Sequence, residues 1–228
     1  MRLYPPFTGF FHSYILCSLF FCALTCSCSI AHADAYDDFI IAVKFNDLKA
    51  VQTSLTKGMD VNTSDPIRGE TAMMIALREN SIQVFEALLH HPNIQLEAGA
   101  NNGDTALMLA SYFSNLRAVN LLLTAGAKVN QSGWTALHYA AFIGNTKIML
   151  MLLDEAAEIN AKSPNKTTPL MMAVRSGDIR AVQLLLDKGA DSNLTNDLGL
   201  SALDFAIQLE KREIAAILSA SLKQGVKP

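Results

Sequence analysis

The chain has 228 residues, 50% of them apolar, with 18 basic and 21 acidic side chains and a formal net charge of −3. Its Lys and Arg residues gather into no basic stripe, which argues against the phosphate-neutralising surface that nucleic-acid binding requires. The apolar content suffices for a long core, and no Pro/Gly/Ser-rich linker divides the chain.

At the amino terminus Arg2 precedes an apolar run from about Tyr14 to Thr25, followed by Ala31-His32-Ala33. That is the plan of a secretory signal with a small-x-small cleavage site, so residues 1–33 are expected to be a signal peptide. The rival is an uncleaved anchor, which about 18 or more apolar residues would favour; Ser18, Thr25, Ser27 and Ser29 dilute this run. Cleavage after Ala33 leaves 195 residues with 17 basic (all but Arg2) and 21 acidic side chains, a net charge of −4. Cys17, Cys22, Cys26 and Cys28 all leave with the signal. The mature chain therefore has no thiol for catalysis, zinc binding or redox sensing. The expected location is exported, periplasmic or secreted, with no membrane attachment after signal removal.

From Asp37 onward the sequence repeats itself. Units begin at Asp37 (Asp-Asp-Phe-Ile-Ile-Ala), Thr71 (Thr-Ala-Met-Met-Ile-Ala), Thr105 (Thr-Ala-Leu-Met-Leu-Ala), Thr135 (Thr-Ala-Leu-His-Tyr-Ala), Thr168 (Thr-Pro-Leu-Met-Met-Ala) and Ser201 (Ser-Ala-Leu-Asp-Phe-Ala). Successive starts lie 34, 34, 30, 33 and 33 residues apart. Later landmarks recur too, as Val119/Leu122/Leu123 before Gly126-Ala127-x-Val129-Asn130, and Val182/Leu185/Leu186 before Gly189-Ala190-Asp191-Ser192-Asn193. A fixed period of this size means that each unit cannot bury its apolar face alone and must stack on its neighbours. The motif resembles the ankyrin repeat, Thr-Pro-Leu-His-x-Ala at a 33-residue period. The resemblance covers about Tyr36 to Leu222 and implies an all-α solenoid of about six helix-turn-helix units joined by hairpin-like loops. The expected domain runs over 34–222, with 223–228 as a frayed tail.

Within a unit, apolar residues recur at helical spacing in two segments of about nine residues. Leu137, Ala140 and Ala141 mark the inner face of one first helix, and Ile148, Leu152 and Leu153 that of its second. The Thr or Ser at most unit starts suits a helix N-cap. Gly58, Gly126 and Gly189 suit the left-handed residue that ends a second helix. Two units depart, with His90-His91-Pro92-Asn93 in one and Ala156 replacing glycine in another, and both departures are expected to alter loop geometry. Polar outer faces are expected at the ends, from Lys44, Asn46, Asp47 and Lys49 in the first unit and Glu210-Lys211-Arg212-Glu213 in the last.

One loop is short. Gly126 to Thr135 spans 9 residues, whereas Gly189 to Ser201 and Ala156 to Thr168 each span 12. In ankyrin repeats this stretch is the projecting finger, so the resemblance implies one stunted finger, with Trp134 in the notch. A tolerated surface deletion is the alternative.

The resemblance also implies a partner-binding concave side, using residues just before each Thr and just after the paired Ala. Mapped onto this chain, that side gains Asn101, Asn102, Asp104, Tyr112, Phe113, Ser132, Trp134, Phe142 and Ile143. An apolar centre flanked by polar residues (Arg68, Glu70, Arg78 and Glu79; Asn165, Thr167, Arg175 and Ser176) is the pattern of a protein-binding face. Trp134, Tyr112, Phe113, Phe142, Ile143, Asn102 and Asp104 are the candidate contacts; the competing reading is that some of these aromatics belong to the core. His138 occupies the motif position that the family uses to hold units in register. His90 and His91 lack the one-face spacing of a metal pair, and the methionines fall mostly on core positions. No phosphate loop or Ser/His/Asp set is present. The expected function is an exported bacterial ankyrin protein binding another protein as a monomer, without enzymatic activity or cofactor. A secreted effector acting in a host is the alternative, and a solenoid-scaffolded enzyme is disfavoured.

Overall fold

The structure is a computed structural model describing residues 35–224. The expected signal peptide over 1–33 lies outside the described residues. Among the described residues twelve helices follow in pairs: α1 (35–44) with α2 (Leu48–Thr56), α3 (Ala72–Arg78) with α4 (Ile82–Leu89), α5 (Ala106–Tyr112) with α6 (Leu116–Thr124), α7 (Ala136–Ile143) with α8 (Thr146–Asp154), α9 (Pro169–Ser176) with α10 (Ile179–Asp187), and α11 (Ala202–Gln208) with α12 (Arg212–Gln224). No strand is formed among the described residues, although isolated bridges join Ser64 to Thr71 and Thr195 to Ser201. The architecture is an all-α repeat solenoid.

Helices α2 to α11 have 7–9 residues each. Helices that short are marginal alone in water, so packing holds them. The first helices lie side by side, α7 between α5 and α9, because buried Ala72, Ala76, Ala106, Ala110, Ala136, Ala140, Ala202 and Ala206 let backbones approach. Behind them each second helix from α4 onward contributes one fully buried leucine, Leu88, Leu122, Leu152, Leu185 and Leu218. These leucines share one register position, so the core continues through every unit boundary.

The turn inside each pair needs a left-handed residue, and Asn46, Asn80, Ser114, Gly144, Gly177 and Glu210 supply it at matching places. At Gly144 a Cβ would sit 2.9 Å from Cβ of Asp178, the N-cap of α10. Only glycine satisfies both the backbone and the neighbour there. After the second helices, Gly58, Gly126 and Gly189 are left-handed, as expected, and so is Ala156 at φ +58°. The altered geometry expected at Ala156 is therefore not found: tertiary packing holds an alanine in the conformation glycine would take, at a cost of about 1 kcal/mol. Ala156→Gly is expected to raise unfolding stability by about 1 kcal/mol, measurable by urea denaturation. The His90-His91-Pro92 loop does change course: no residue from 90 to 98 has positive φ, and the Ile94 N–H bonds back to the His91 carbonyl at 3.0 Å.

At the ends Lys44, Asp47 and Lys49 are exposed, as are Glu210, Arg212 and Glu213, with Asp47 also capping α2; Asn46 instead turns toward the next unit and accepts from the Val84 N–H. Ile41 and Phe45 are 52% and 80% exposed beside them, and Ile207 is 62% exposed at the far end. The equivalents of Ile207 in earlier units, such as Ala141 and Val174, are covered by the following unit. At the carboxyl terminus α12 runs through Gln224, with Leu218 buried on its inner face.

Candidate functional site

Four of the loops close as fingers through one repeated backbone bond. Asp65 N–H to Glu70 O, Ala100 N–H to Asp104 O, Ser163 N–H to Thr167 O and Asn196 N–H to Leu200 O span 2.9–3.0 Å, each around a tight tip. The loop from 127 to 135 has no such bond among the described residues, so the three missing residues do remove a finger tip. Neighbouring fingers join through Asn101 N–H to Arg68 O at 2.8 Å and Asp197 N–H to Asn165 O at 3.1 Å. The short loop thus divides the row into two linked pairs with a notch between them.

The stack stays tied across that notch by side chains. Asn130 donates to the Ala156 carbonyl at 2.8 Å and accepts from the Glu158 N–H at 2.8 Å. His138 is fully buried; its Nδ1 accepts from the Thr135 N–H at 3.2 Å, which leaves Nε2 to donate to the Thr167 carbonyl at 2.9 Å. Burial pushes its pKa down from 6.5 to about 4. The expected register role for His138 matches this geometry. The same position in other units does the first half of the task with different chemistry: Met108 and Met171 sulfurs and an Asp204 oxygen accept the N–H of Thr105, Thr168 and Ser201. Two of the methionines therefore act as weak acceptors as well as core filler.

Around the notch the rings form a continuous row. Phe113 meets Tyr112 edge-on at 5.2 Å, Tyr112 meets Tyr139 edge-on at 6.0 Å, Tyr139 lies 6.4 Å from Trp134, and Trp134 sits edge-on 5.2 Å from His138. Phe142 and Ile143 follow Tyr139 at i+3 and i+4, on the same face of α7. Tyr112, Phe113 and Ile143 are 40%, 39% and 41% exposed, whereas Trp134 and Phe142 are half-buried against the core. The seven candidates thus separate. Tyr112, Phe113 and Ile143 offer apolar surface, Phe142 and Trp134 support them, and Asn102 is exposed beside its finger tip.

Asp104 corrects the sequence-based reading. It is buried, with one carboxylate oxygen accepting from the Tyr139 hydroxyl at 2.6 Å and the other from Asn102 Nδ2 at 2.6 Å. Its place is the joint between two units, because an acid under the next first helix finds its donors inside the stack. Tyr139 is the residue that sequence reasoning missed. Its signal was present in the motif slot after His138, which neighbouring units fill with Leu109 and Met172 and this unit fills with a hydroxyl-bearing ring. Burial, then the bond to Asp104, pushes its pKa up. Tyr139→Phe is expected to cost about 1.5–3 kcal/mol of unfolding stability by leaving a buried carboxylate oxygen unpartnered, checked by thermal melts at neutral pH.

The two flanks are charged differently. On the α3 side Arg78 contacts both Glu70 and Glu79, and Arg68 approaches Glu70 at 3.8 Å. On the α9 side Arg175 is exposed and has no ion-pair partner among the described residues. No group of three or more His, Cys, Asp or Glu among the described residues is arranged to hold a metal ion, and no described helix is long and apolar enough to cross a membrane.

Stacked helix pairs with fingers on one edge and an apolar row across the first helices define a repeat protein of the solenoid class. The family is shown by comparison: the ankyrin repeats profile matches in three copies, over residues 39–132, 93–163 and 157–227, and the chain belongs to the ankyrin repeat family. Among its relatives, transient receptor potential cation channel subfamily A member 1 of Homo sapiens is 29% identical over 160 residues, covering 65% of this chain and 14% of the channel subunit. The ankyrin repeat protein FPV031 of Fowlpox virus is 32% identical, covering 78% of this chain and 46% of its own length. The ankyrin repeat protein YahD of Escherichia coli is 30% identical over 199 residues, 81% of this chain and 95% of its own. The chain thus spans less than half of the first two relatives and nearly all of the third.

Proposed function

We propose that this chain is an exported bacterial ankyrin-repeat protein that holds another protein on the face made by its first helices and fingers, centred on α5 and α7. Ankyrin repeats are generally protein-interaction modules. The observation that carries the assignment of the face is the run of exposed Tyr112, Phe113 and Ile143 beside the notch, at register positions where adjacent units place Arg78, Glu79, Arg175 and Ser176. A fold that tolerates charge at those positions has no packing need for rings there, and aromatic residues are enriched at interface hot spots. No cofactor is required by this reading, and the chain acts as a monomer.

The export part rests on Arg2, the Tyr14 to Thr25 run and Ala31-His32-Ala33, and the near full-length likeness to a protein of Escherichia coli supports a bacterial setting. Fractionation of producing cells with amino-terminal sequencing is the test. Mature protein beginning at Asp34 in the periplasm is expected; protein retaining Met1 in the cytosol contradicts export, and mature protein confined to the culture supernatant favours an effector acting outside the cell. Affinity capture from an envelope extract, with Trp134→Ala/Phe142→Ala as control, tests binding itself.

A further inference from the structure

The partner's chemistry can be read more closely from the asymmetry of the two flanks, and this inference rests on the face assigned above. Along the first helices, one register row reads Arg78, Tyr112, Phe142, Arg175 across α3, α5, α7 and α9. The apolar centre is therefore bracketed by a guanidinium on each side. On the α3 side the charge is already neutralised, since Arg78 is held by Glu70 and Glu79. Arg175 has no such arrangement. The nearest acid in sequence, Asp178, is engaged elsewhere, by the Arg180 guanidinium at 3.1 Å and by the N–H groups of Arg180 and Ala181 at 2.8 and 3.2 Å. Lys211 adds a second cation on this flank: its ammonium lies against the Gly177 backbone, 2.9 Å from where a Cβ would stand, and forms no ion pair among the described residues.

We propose that the segment bound by this face carries a carboxylate side chain beside its apolar anchor, directed to Arg175 and Lys211 on the α9 side. The physical reason is the cost of burial. A partner that covers the apolar row also takes water from the adjoining flanks, and a desolvated cation left without a counter-charge is expensive. On the α3 side the protein supplies its own counter-charges, so a neutral segment suffices there. On the α9 side the partner must bring one, and a carboxylate matches the planar fork of a guanidinium in two parallel bonds. The interaction selects the partner and its direction of binding, while the aromatic row supplies the adhesive area.

Selection of a displayed library of random linear peptides on the immobilised full-length protein tests this. The expected result is enrichment of peptides in which Asp or Glu outnumbers Lys and Arg about tenfold within three residues of a large apolar side chain, tenfold being the affinity that about 1.4 kcal/mol confers. Arg175→Glu/Lys211→Glu is expected to invert that preference while apolar anchors stay enriched, and Arg175→Gln/Lys211→Gln to abolish it with the fold intact by circular dichroism. Apolar anchors without acidic bias, or a bias that survives both double variants, overturn the proposal and leave the face assignment standing. Peptides retained equally by Phe113→Glu/Ile143→Ser, or no enrichment by the unaltered protein, overturn the face assignment and the proposal with it.

Discussion

Lowering the pH from 7 to 4 is expected to remove about 3 kcal/mol of unfolding stability through His138 alone. The folded pKa is about 4 against 6.5 for the free side chain, because burial penalises the charged imidazole. Between those values the unfolded chain takes up a proton that the folded chain refuses, so stability falls as pH falls, by about 1.4 kcal/mol per unit. The loss begins near pH 6.5 and is complete near pH 4. Protonation of Nδ1 would also cost the bond it accepts from the Thr135 N–H, 3.2 Å away, and leave only the Thr135 hydroxyl oxygen, at 2.9 Å, to accept from it. Three carboxylates also contribute: Asp65, where burial is outweighed by the N–H groups of Arg68, Ile67 and Glu70, Asp178, held low by its Arg180 bond, and Asp204, held low by the Ser201 hydroxyl. Their depressed values place that loss below the ordinary carboxylate range, so urea denaturation at pH 7, 6 and 5 isolates the histidine. His138→Gln is expected to be less stable at pH 7 and to show little further loss down to pH 5. A variant that loses stability with pH as steeply as the unaltered protein would show that the proton goes elsewhere.

The second large effect concerns binding. Phe113→Glu/Ile143→Ser is expected to weaken partner capture by at least about 100-fold, since truncating hot-spot side chains costs about 2 kcal/mol or more each and tenfold is about 1.4 kcal/mol. The substitutions copy what the chain itself carries at the same register, Glu79 in the unit before and Ser176 in the unit after. Stability is therefore expected to change by no more than about 0.5 kcal/mol. The pair of readouts separates a lost contact from a lost fold, which a Trp134 variant does less cleanly because that ring packs on His138.

Much of this fold is legible in the residues because a repeat states each rule several times. One Thr-Ala-Leu-His-Tyr-Ala is a short string, but six aligned copies expose the caps, the buried alanines and the leucine that threads the second helices. The stunted finger is readable as a count, since a missing tip needs no side-chain knowledge. What the residues conceal is how neighbours share polar groups. Asp104 looks like a surface acid until the Tyr139 hydroxyl of the next unit is found 2.6 Å away, a contact between positions 35 residues apart. Ala156 looks like a lost glycine, and the stack nonetheless imposes a left-handed backbone on it. The open ends mislead for a related reason: Lys44 and Asp47 describe the first unit's composition, while the exposure of Ile41 and Phe45 depends on which face lacks a neighbour. In each case a local rule gave way to an inter-unit contact, which is where a solenoid keeps its stability.

The central claim is that this protein works through the aromatic face of α5 and α7. A photo-crosslinking amino acid placed in turn at Phe113, Ile143 and Leu150 tests it most directly, since the three are almost equally exposed at 39%, 41% and 37% and Leu150 lies on a second helix. Crosslinks to a protein from Phe113 and Ile143, with none from Leu150, are the predicted result. Crosslinks from Leu150 equal to or stronger than those from the other two would contradict it.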